Sequence, residues 1–190
     1  MLATKGADVN WKSKDSTPLI MAILTADPAV VRSLIAAHAH VNLRDPRGKS
    51  PLQAVIVERM RKDPSDERRR ADDREVLRLL VDAGADIRVR GKYGDTPLHL
   101  AAARDREDLA ALLIERGAEI DALDDSTWTP LHMAADRRSI AVAKVLLDHG
   151  AFVNARNSKE PRTPLNLVWG DPELKALLER YGGREASAMR

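Results

Sequence analysis

A Thr/Ser-Pro-Leu triplet returns five times along the chain, at Thr17-Pro18-Leu19, Ser50-Pro51-Leu52, Thr96-Pro97-Leu98, Thr129-Pro130-Leu131 and Thr163-Pro164-Leu165. The successive intervals are 33, 46, 33 and 34 residues. A second landmark trails each triplet: His38-Ala39, Gly84-Ala85, Gly117-Ala118, Gly150-Ala151 and Gly182-Gly183, with another copy, Gly6-Ala7, ahead of the first. Two landmarks that drift together at one period imply stacked units, each able to bury its apolar side only against a neighbour.

Each landmark has a local cause. A Thr or Ser hydroxyl caps free backbone N–H groups at a helix start, and Pro fits the first helical position. Gly after an apolar run stops a helix, because it takes a left-handed conformation without penalty. Between the landmarks lie two short apolar-periodic segments, such as Pro97–Ala103 and Leu109–Ile114. Small alanines let the paired helices approach, and leucines fill the layer between units. An alternating stretch, such as Asp8-Val9-Asn10 or Phe152-Val153-Asn154, then leads into a polar turn. One unit therefore reads as helix, tight loop, helix and extended finger.

Composition agrees. Aromatic residues make up only 3% of the 190, too few for one closed core of the usual kind but enough for Ala/Leu layers repeated many times. No apolar run approaches the ~20 residues that cross a bilayer, and the opening residues lack the order of a secretory signal. There is no cysteine, which removes disulfides, thiolate metal sites and cysteine nucleophiles. Lys plus Arg number 31 against 29 for Asp plus Glu, a balance unlike that of a nucleic-acid-coating polycation.

The fullest copies, Thr96-Pro97-Leu98-His99-Leu100-Ala101-Ala102 and Thr129-Pro130-Leu131-His132-Met133-Ala134-Ala135, resemble the ankyrin repeat, from about Leu2 to Gly183. The resemblance implies an all-α ankyrin-repeat solenoid of helix–loop–helix units with extended, β-hairpin-like fingers. It implies a single domain over residues 1–183: a partial repeat at 1–10, repeats starting near 11, 43, 89, 122 and 155, and a flexible tail at 184–190. Met1–Asn10 reads as the end of a second helix whose first helix is missing, an expectation that natural residues precede Met1. In ankyrin repeats the histidine of the motif ties neighbouring loops together; Ile20, Gln53 and Asn166 stand in its place in three repeats, so looser junctions are expected there. Ala26, Asp105 and Arg138 replace the usual Gly between the two helices. Gly170-Asp171-Pro172 starts the second helix of a shortened last repeat that ends as a polar cap at Arg184-Glu185, with Trp169 and Tyr181 expected to pack inside its helices.

The long interval holds about 13 extra residues, roughly Met60 to Asp72. Asp63-Pro64 is a further helix start, and the Arg/Glu content favours two lengthened helices; the segment reads either as a partner-facing projection or as a solvated helical hairpin. Gly48-Lys49-Ser50 lacks the first Gly of a phosphate loop, Leu43 standing there, and Ser50 belongs to a capping triplet. His99 and His132 share one slot in adjacent repeats and read as loop braces rather than metal ligands. No nucleophile–base constellation stands out, so neither an enzyme nor a cofactor or metal site is expected.

The surface remains. Family resemblance implies recognition on the concave face, lined by fingers and first helices. Three of the six rings, Trp11, Tyr93 and Trp128, fall in fingers, where aromatics and Arg form interface hot spots. The candidate partner-binding residues are Trp11, Lys12 and Lys14 in the first finger, and Arg44, Arg47 and Lys49 in the second. The third contributes Arg90, Lys92 and Tyr93, the fourth Trp128, and the fifth Arg156 and Arg162. Four fingers are basic; the fourth, with Asp124-Asp125, is acidic. The alternative is that each ring packs on a neighbouring finger and the charges are merely solvated. The expected function is a monomeric, non-enzymatic scaffold that binds a protein with an acidic patch or segment, as inhibitor, immunity factor or adaptor. The alternative is a regulatory module of a larger enzyme or channel; nucleic acid is a poor fit, and no membrane insertion is expected. The expected compartment is the cytoplasm, or the periplasm or exterior if a signal precedes Met1.

Overall fold

The computed structural model describes residues 8–25, 27–57, 67–158 and 161–188. The chain divides into two compact units, Met1–Gly91 and Lys92–Arg190. Every regular element among the described residues is helical, so the all-α reading holds.

In the first unit, α1 (Pro18–Thr25) and α2 (Pro28–Ala36) form one hairpin, and α3 (Pro51–Val57) and α4 (Glu67–Asp82) the next. First helix packs on first helix, α1 on α3, and second on second, α2 on α4. Pro opens three of the four: the triplets supply Pro18 and Pro51, and Pro28 after Asp27 is a start that the sequence analysis did not single out. The Asp27 carboxylate accepts from the Ala29 N–H at 2.8 Å. Among the described residues the extra length of the long repeat lies in α4, with 16 residues, while α3 has 7 and is no longer than its counterparts. Ala26, Asp63-Pro64 and most of the 60–72 insertion lie outside the described residues, as do residues 1–7 of the partial repeat.

In the second unit the hairpins are α5 (Pro97–Ala103) with α6 (Glu107–Glu115), and α7 (Pro130–Arg137) with α8 (Ile140–Asp148). A 3-10 turn at Pro164–Leu167 then precedes α9 (Pro172–Arg180). The stacking repeats that of the first unit: α5 packs on α7 and α7 on the 3-10 turn, while α6 packs on α8 and α8 on α9. Ala101, Ala102, Ala134 and Ala135 are buried where first helices meet, and Leu98, Leu109, Leu113, Leu131 and Leu146 fill the layers. Each such leucine is worth ~2 kcal/mol of burial, so stability accrues layer by layer rather than in one large core.

The fifth repeat departs from this pattern for a visible reason. Trp169 stands where the third and fourth repeats place buried Ala102 and Ala135. An indole cannot occupy a slot sized for a methyl group, so the first helix ends after one 3-10 turn and Trp169 points into solvent, 72% exposed. Trp169 and Tyr181 are therefore not interior packing of terminal helices: the first lies in a loop, and the second is an exposed C-cap of α9 whose hydroxyl donates to Asp148. Arg138 and Asp105, in place of the usual Gly, take left-handed backbone with φ of 57° and 50°.

Leu112 is 3% exposed in α6. Leu112→Ala is expected to lower the unfolding free energy by about 2–5 kcal/mol in urea titration; a loss under ~0.5 kcal/mol would contradict the layered account.

Candidate functional site

The fingers are turns rather than strands, which corrects the β-hairpin expectation to a single ladder rung. One backbone bond closes each of three: Asp45 N–H to Lys49 O at 2.9 Å, Asp124 N–H to Trp128 O at 3.0 Å, and Asn157 N–H to Arg162 O at 3.2 Å. The same three residues also supply the side chain that shapes the turn. Asp45 Oδ1 accepts from Arg47 N at 2.9 Å and Lys49 N at 2.8 Å. Asp124 Oδ1 takes Ser126 N at 2.8 Å and Trp128 N at 2.9 Å, and Asn157 Oδ1 takes Arg162 N at 2.8 Å. An Asx side chain that folds the backbone over itself is thus a device of the sequence, not a solvated charge.

Side chains then tie each finger to the next. In the second unit, His99 Nδ1 accepts from Thr96 N at 3.2 Å, and its Nε2 lies 2.9 Å from Trp128 O. His132 repeats this with Thr129 N at 3.2 Å and Arg162 O at 3.0 Å. A backbone N–H can only donate and a carbonyl only accept, so both rings are neutral with the proton on Nε2. Asn166, in the same slot, accepts from Thr163 N and from Ala186 N, both at 2.9 Å. The looser junction expected at Asn166 is therefore a braced one. Ile20 has no polar atom with which to reach onward.

A second ladder escaped the sequence reading. In the first unit, Asn10 Oδ1 accepts from His40 N at 2.6 Å while its amide donates to His38 O at 3.3 Å; Asn42 does the same with Asp86 N at 2.8 Å and Gly84 O at 3.0 Å. In the second unit, Asn154 pairs with Arg184 N at 2.7 Å and Gly182 O at 2.9 Å. The signal was an Asn four residues after three of the helix-stop positions, Gly6, His38 and Gly150, with Asp121 in the same place after Gly117 and accepting from Phe152 N at 3.1 Å. With Thr163 Oγ1 also donating to Arg184 O at 2.7 Å, the stretch 184–188 is held against the last repeat as a partial next finger, with a short 3-10 turn at Ala186–Ala188; the flexible tail expected there is replaced by bonded chain. His38, at the stop position usually held by Gly, takes φ of 63°.

The candidate residues divide by what their side chains already do. Trp11, 61% exposed, Lys12 and Lys14 stand in solvent in the first unit, as does Arg47; Lys49 is half-buried. Arg44 is committed, its guanidinium donating to Gly48 O at 2.9 Å and to Arg90 O at 3.2 Å. In the second unit Tyr93 is 69% exposed, with Lys92 Nζ 5.4 Å from its ring centroid. Its backbone is fixed by Asp125 N–H donating to Tyr93 O at 3.0 Å, over Gly94, where any Cβ would collide with Asp125 at 2.3 Å. Trp128 is different: it is half-buried and its ring stacks on His132, centroids 6.2 Å apart. Arg156 donates to Ala186 O, and Arg162, exposed, offers its carbonyl to His132. Thr127, left-handed at φ of 59°, was unsuspected; its Oγ1 accepts from Ser158 N at 2.7 Å and joins the fourth and fifth fingers.

Burial pushes the His132 imidazole below its ordinary range, outweighing the bond to the Arg162 carbonyl and the charge of Asp124, which act the other way. Among the described residues no three His, Asp or Glu side chains gather as a metal site, and no helix is long and apolar enough to cross a membrane.

Two family models match the chain: ankyrin repeats in three copies over residues 69–157, and ankyrin repeats in many copies over residues 1–54. Similar proteins include protein PhlB of Serratia liquefaciens, 36% identical over 103 residues, which cover 53% of this chain and 40% of PhlB. The neurogenic locus notch homolog protein 4 of Homo sapiens is 35% identical over 94 residues, 49% of this chain and 4% of that protein. An Arf-GAP with coiled-coil, ANK repeat and PH domain-containing protein 2 of Rattus norvegicus is 42% identical over 55 residues, 27% of this chain and 7% of its own length. The chain thus spans well under half the length of each of these relatives.

Protonation would turn Nδ1 of His132 into a donor facing the Thr129 N–H. The unfolded chain takes up this proton near pH 6.5 and the folded one only at lower pH, so the contribution is complete above pH 6.5 and declines as pH falls below it. His132→Asn, the choice made at Asn166, is expected to shrink the loss of urea midpoint between about pH 7.5 and about pH 5.5. An unchanged loss would remove His132 as its source.

Proposed function

This chain belongs to the ankyrin-repeat family, whose repeats generally mediate protein–protein contact, and we propose that it is a non-catalytic interaction module with an acidic partner. Its finger tips take up an acidic patch or segment of another protein, so that the chain acts by occupation, as inhibitor, immunity factor or adaptor. The observation that carries this reading is Tyr93: a ring 69% exposed on a finger whose backbone is already bonded to its neighbour. Binding then orders little that is not already ordered, which lowers the entropic cost of association. Lys92 beside that ring, and Lys12 and Lys14 beside Trp11 in the first unit, give both tips an aromatic centre with a cationic edge. Such a pairing favours carboxylates and apolar side chains together.

Arg44 and Arg156 support the reading as braces rather than as contacts, because their guanidinium groups hold backbone carbonyls. Trp128 is a packing residue for His132. The small share of each relative's length that the chain spans favours one second reading, a regulatory ankyrin module of a larger enzyme or channel whose remainder is absent from this chain.

Capture of partners from the source organism, identified by mass spectrometry, is expected to yield an acidic protein. Tyr93→Ala and Trp11→Ala should each weaken it by more than about 1 kcal/mol with thermal stability unchanged. Trp128→Ala should instead lower stability. Retention of full affinity by both tip variants would end this assignment.

A further inference from the structure

A second candidate site lies in the first unit, where the chain leaves α2 for the second finger. An open cleft of about 720 Å³ is lined there by Ile35, His38, His40, Val41, Leu43 and Gly84, and no Asp, Glu, Lys or Arg lines it. Two histidines thus face one cleft. Their hydrogen bonds are made by backbone atoms, and among the described residues neither imidazole has a partner, so neither ring is spent on the fold.

Three observations make these a built pair rather than two scattered surface residues. First, His38 holds the helix-stop position that Gly84, Gly117, Gly150 and Gly182 hold elsewhere, with φ between 82° and 88°. At φ of 63° a residue other than Gly is disfavoured, and the turn gains no bond from the ring in return. Second, Ala39 and Val41 are buried while His38, His40 and Asn42 are exposed, so burial alternates and both imidazoles stand on one side of the segment. Third, Asn10 pins the backbone at both, its amide donating to His38 O at 3.3 Å and its Oδ1 accepting from His40 N at 2.6 Å. Asn42, the third member of that side, is already committed to Asp86 N and Gly84 O.

We propose that His38 and His40 bind one divalent transition-metal ion of the kind that prefers imidazole, Zn²⁺, Ni²⁺ or Cu²⁺. Two residues of chain hold their Cα atoms no more than ~7 Å apart. Rings on one side at that spacing can meet at an ion about 2.0–2.1 Å from a nitrogen of each. The cleft offers no carboxylate, which disfavours Mg²⁺ and Ca²⁺ with their demand for oxygen ligands. Among the described residues no third His, Asp or Glu joins the pair, so water completes the shell and the site is an open one. Neither histidine belongs to the Tyr93 or Trp11 tip, so the two proposals fail independently.

Calorimetric titration of the tag-free full chain with Zn²⁺ is expected to show one saturable site, and titration with Mg²⁺ none. His40→Gln should weaken Zn²⁺ binding tenfold or more with the melting temperature of the metal-free chain unchanged. His38→Gly should weaken it as much while raising that melting temperature, because Gly relieves the left-handed turn. Saturating Zn²⁺ should raise the melting temperature of the parent and of His149→Gln, a change at an exposed histidine of the second unit, but of neither site variant. No saturable Zn²⁺ binding below about 1 mM, or binding that survives both substitutions as an adventitious ion only, would overturn the proposal. So would a His38→Gly chain that melts below the parent, since His38 would then be a packing residue.

Discussion

The side-chain bond from one repeat to the backbone of the next is the interaction on which the rest depends. A finger of seven or so residues has too little apolar surface to order itself, and its turn would be one conformer among many. His99 removes that freedom by joining the cap of its own helix to the carbonyl of Trp128, and His132 does the same for Arg162. The ring works only when neutral and fully buried, where its two bonds meet no competition from water. Helix start, finger base and neighbouring repeat are therefore fixed by one imidazole.

The proposed function rests on what this bracing leaves over. Backbone carbonyls are held by histidines, asparagines and two arginines, and the turns by Asp45, Asp124 and Asn157, so the fold does not require the Tyr93 and Trp11 rings to be buried. Tyr93 and Trp11 are exposed, while backbone bonds such as Asp125 N–H to Tyr93 O and Ser13 N–H to Ser16 O hold their fingers. On the proposed reading, a rigid scaffold with exposed aromatic surface binds a protein at low entropic cost.

Much of this was legible in the sequence. The triplets located the helix starts because Thr and Pro act locally, and the Gly and His stops marked chain reversals for the same reason. Alanine and leucine periodicity identified the core layers. What the sequence concealed was three-dimensional: that Arg44 and Arg156 turn back to hold carbonyls, that Trp128 lies against His132, and that Asn154 and Asn166 bind the segment beyond Gly183. A cation in a finger looks the same on paper whether it faces solvent or a neighbour's backbone. Trp169 was misplaced because periodicity extended a helix through it, whereas its volume at an alanine slot breaks that helix. The departure from the repeat carried more information than the repeat itself.

The central claim is that the finger bearing Tyr93 is ordered before any partner arrives. Native-state amide hydrogen exchange on the free protein tests it at the Asp125 amide, which donates to Tyr93 O, and at the Ser158 amide, which donates to Thr127 Oγ1. The account predicts protection at both well above that of an unstructured chain, comparable to the helix ends beside them. Exchange at the unprotected rate at both positions, with α5 and α7 still protected, would mean that the fingers order only on binding and would contradict it.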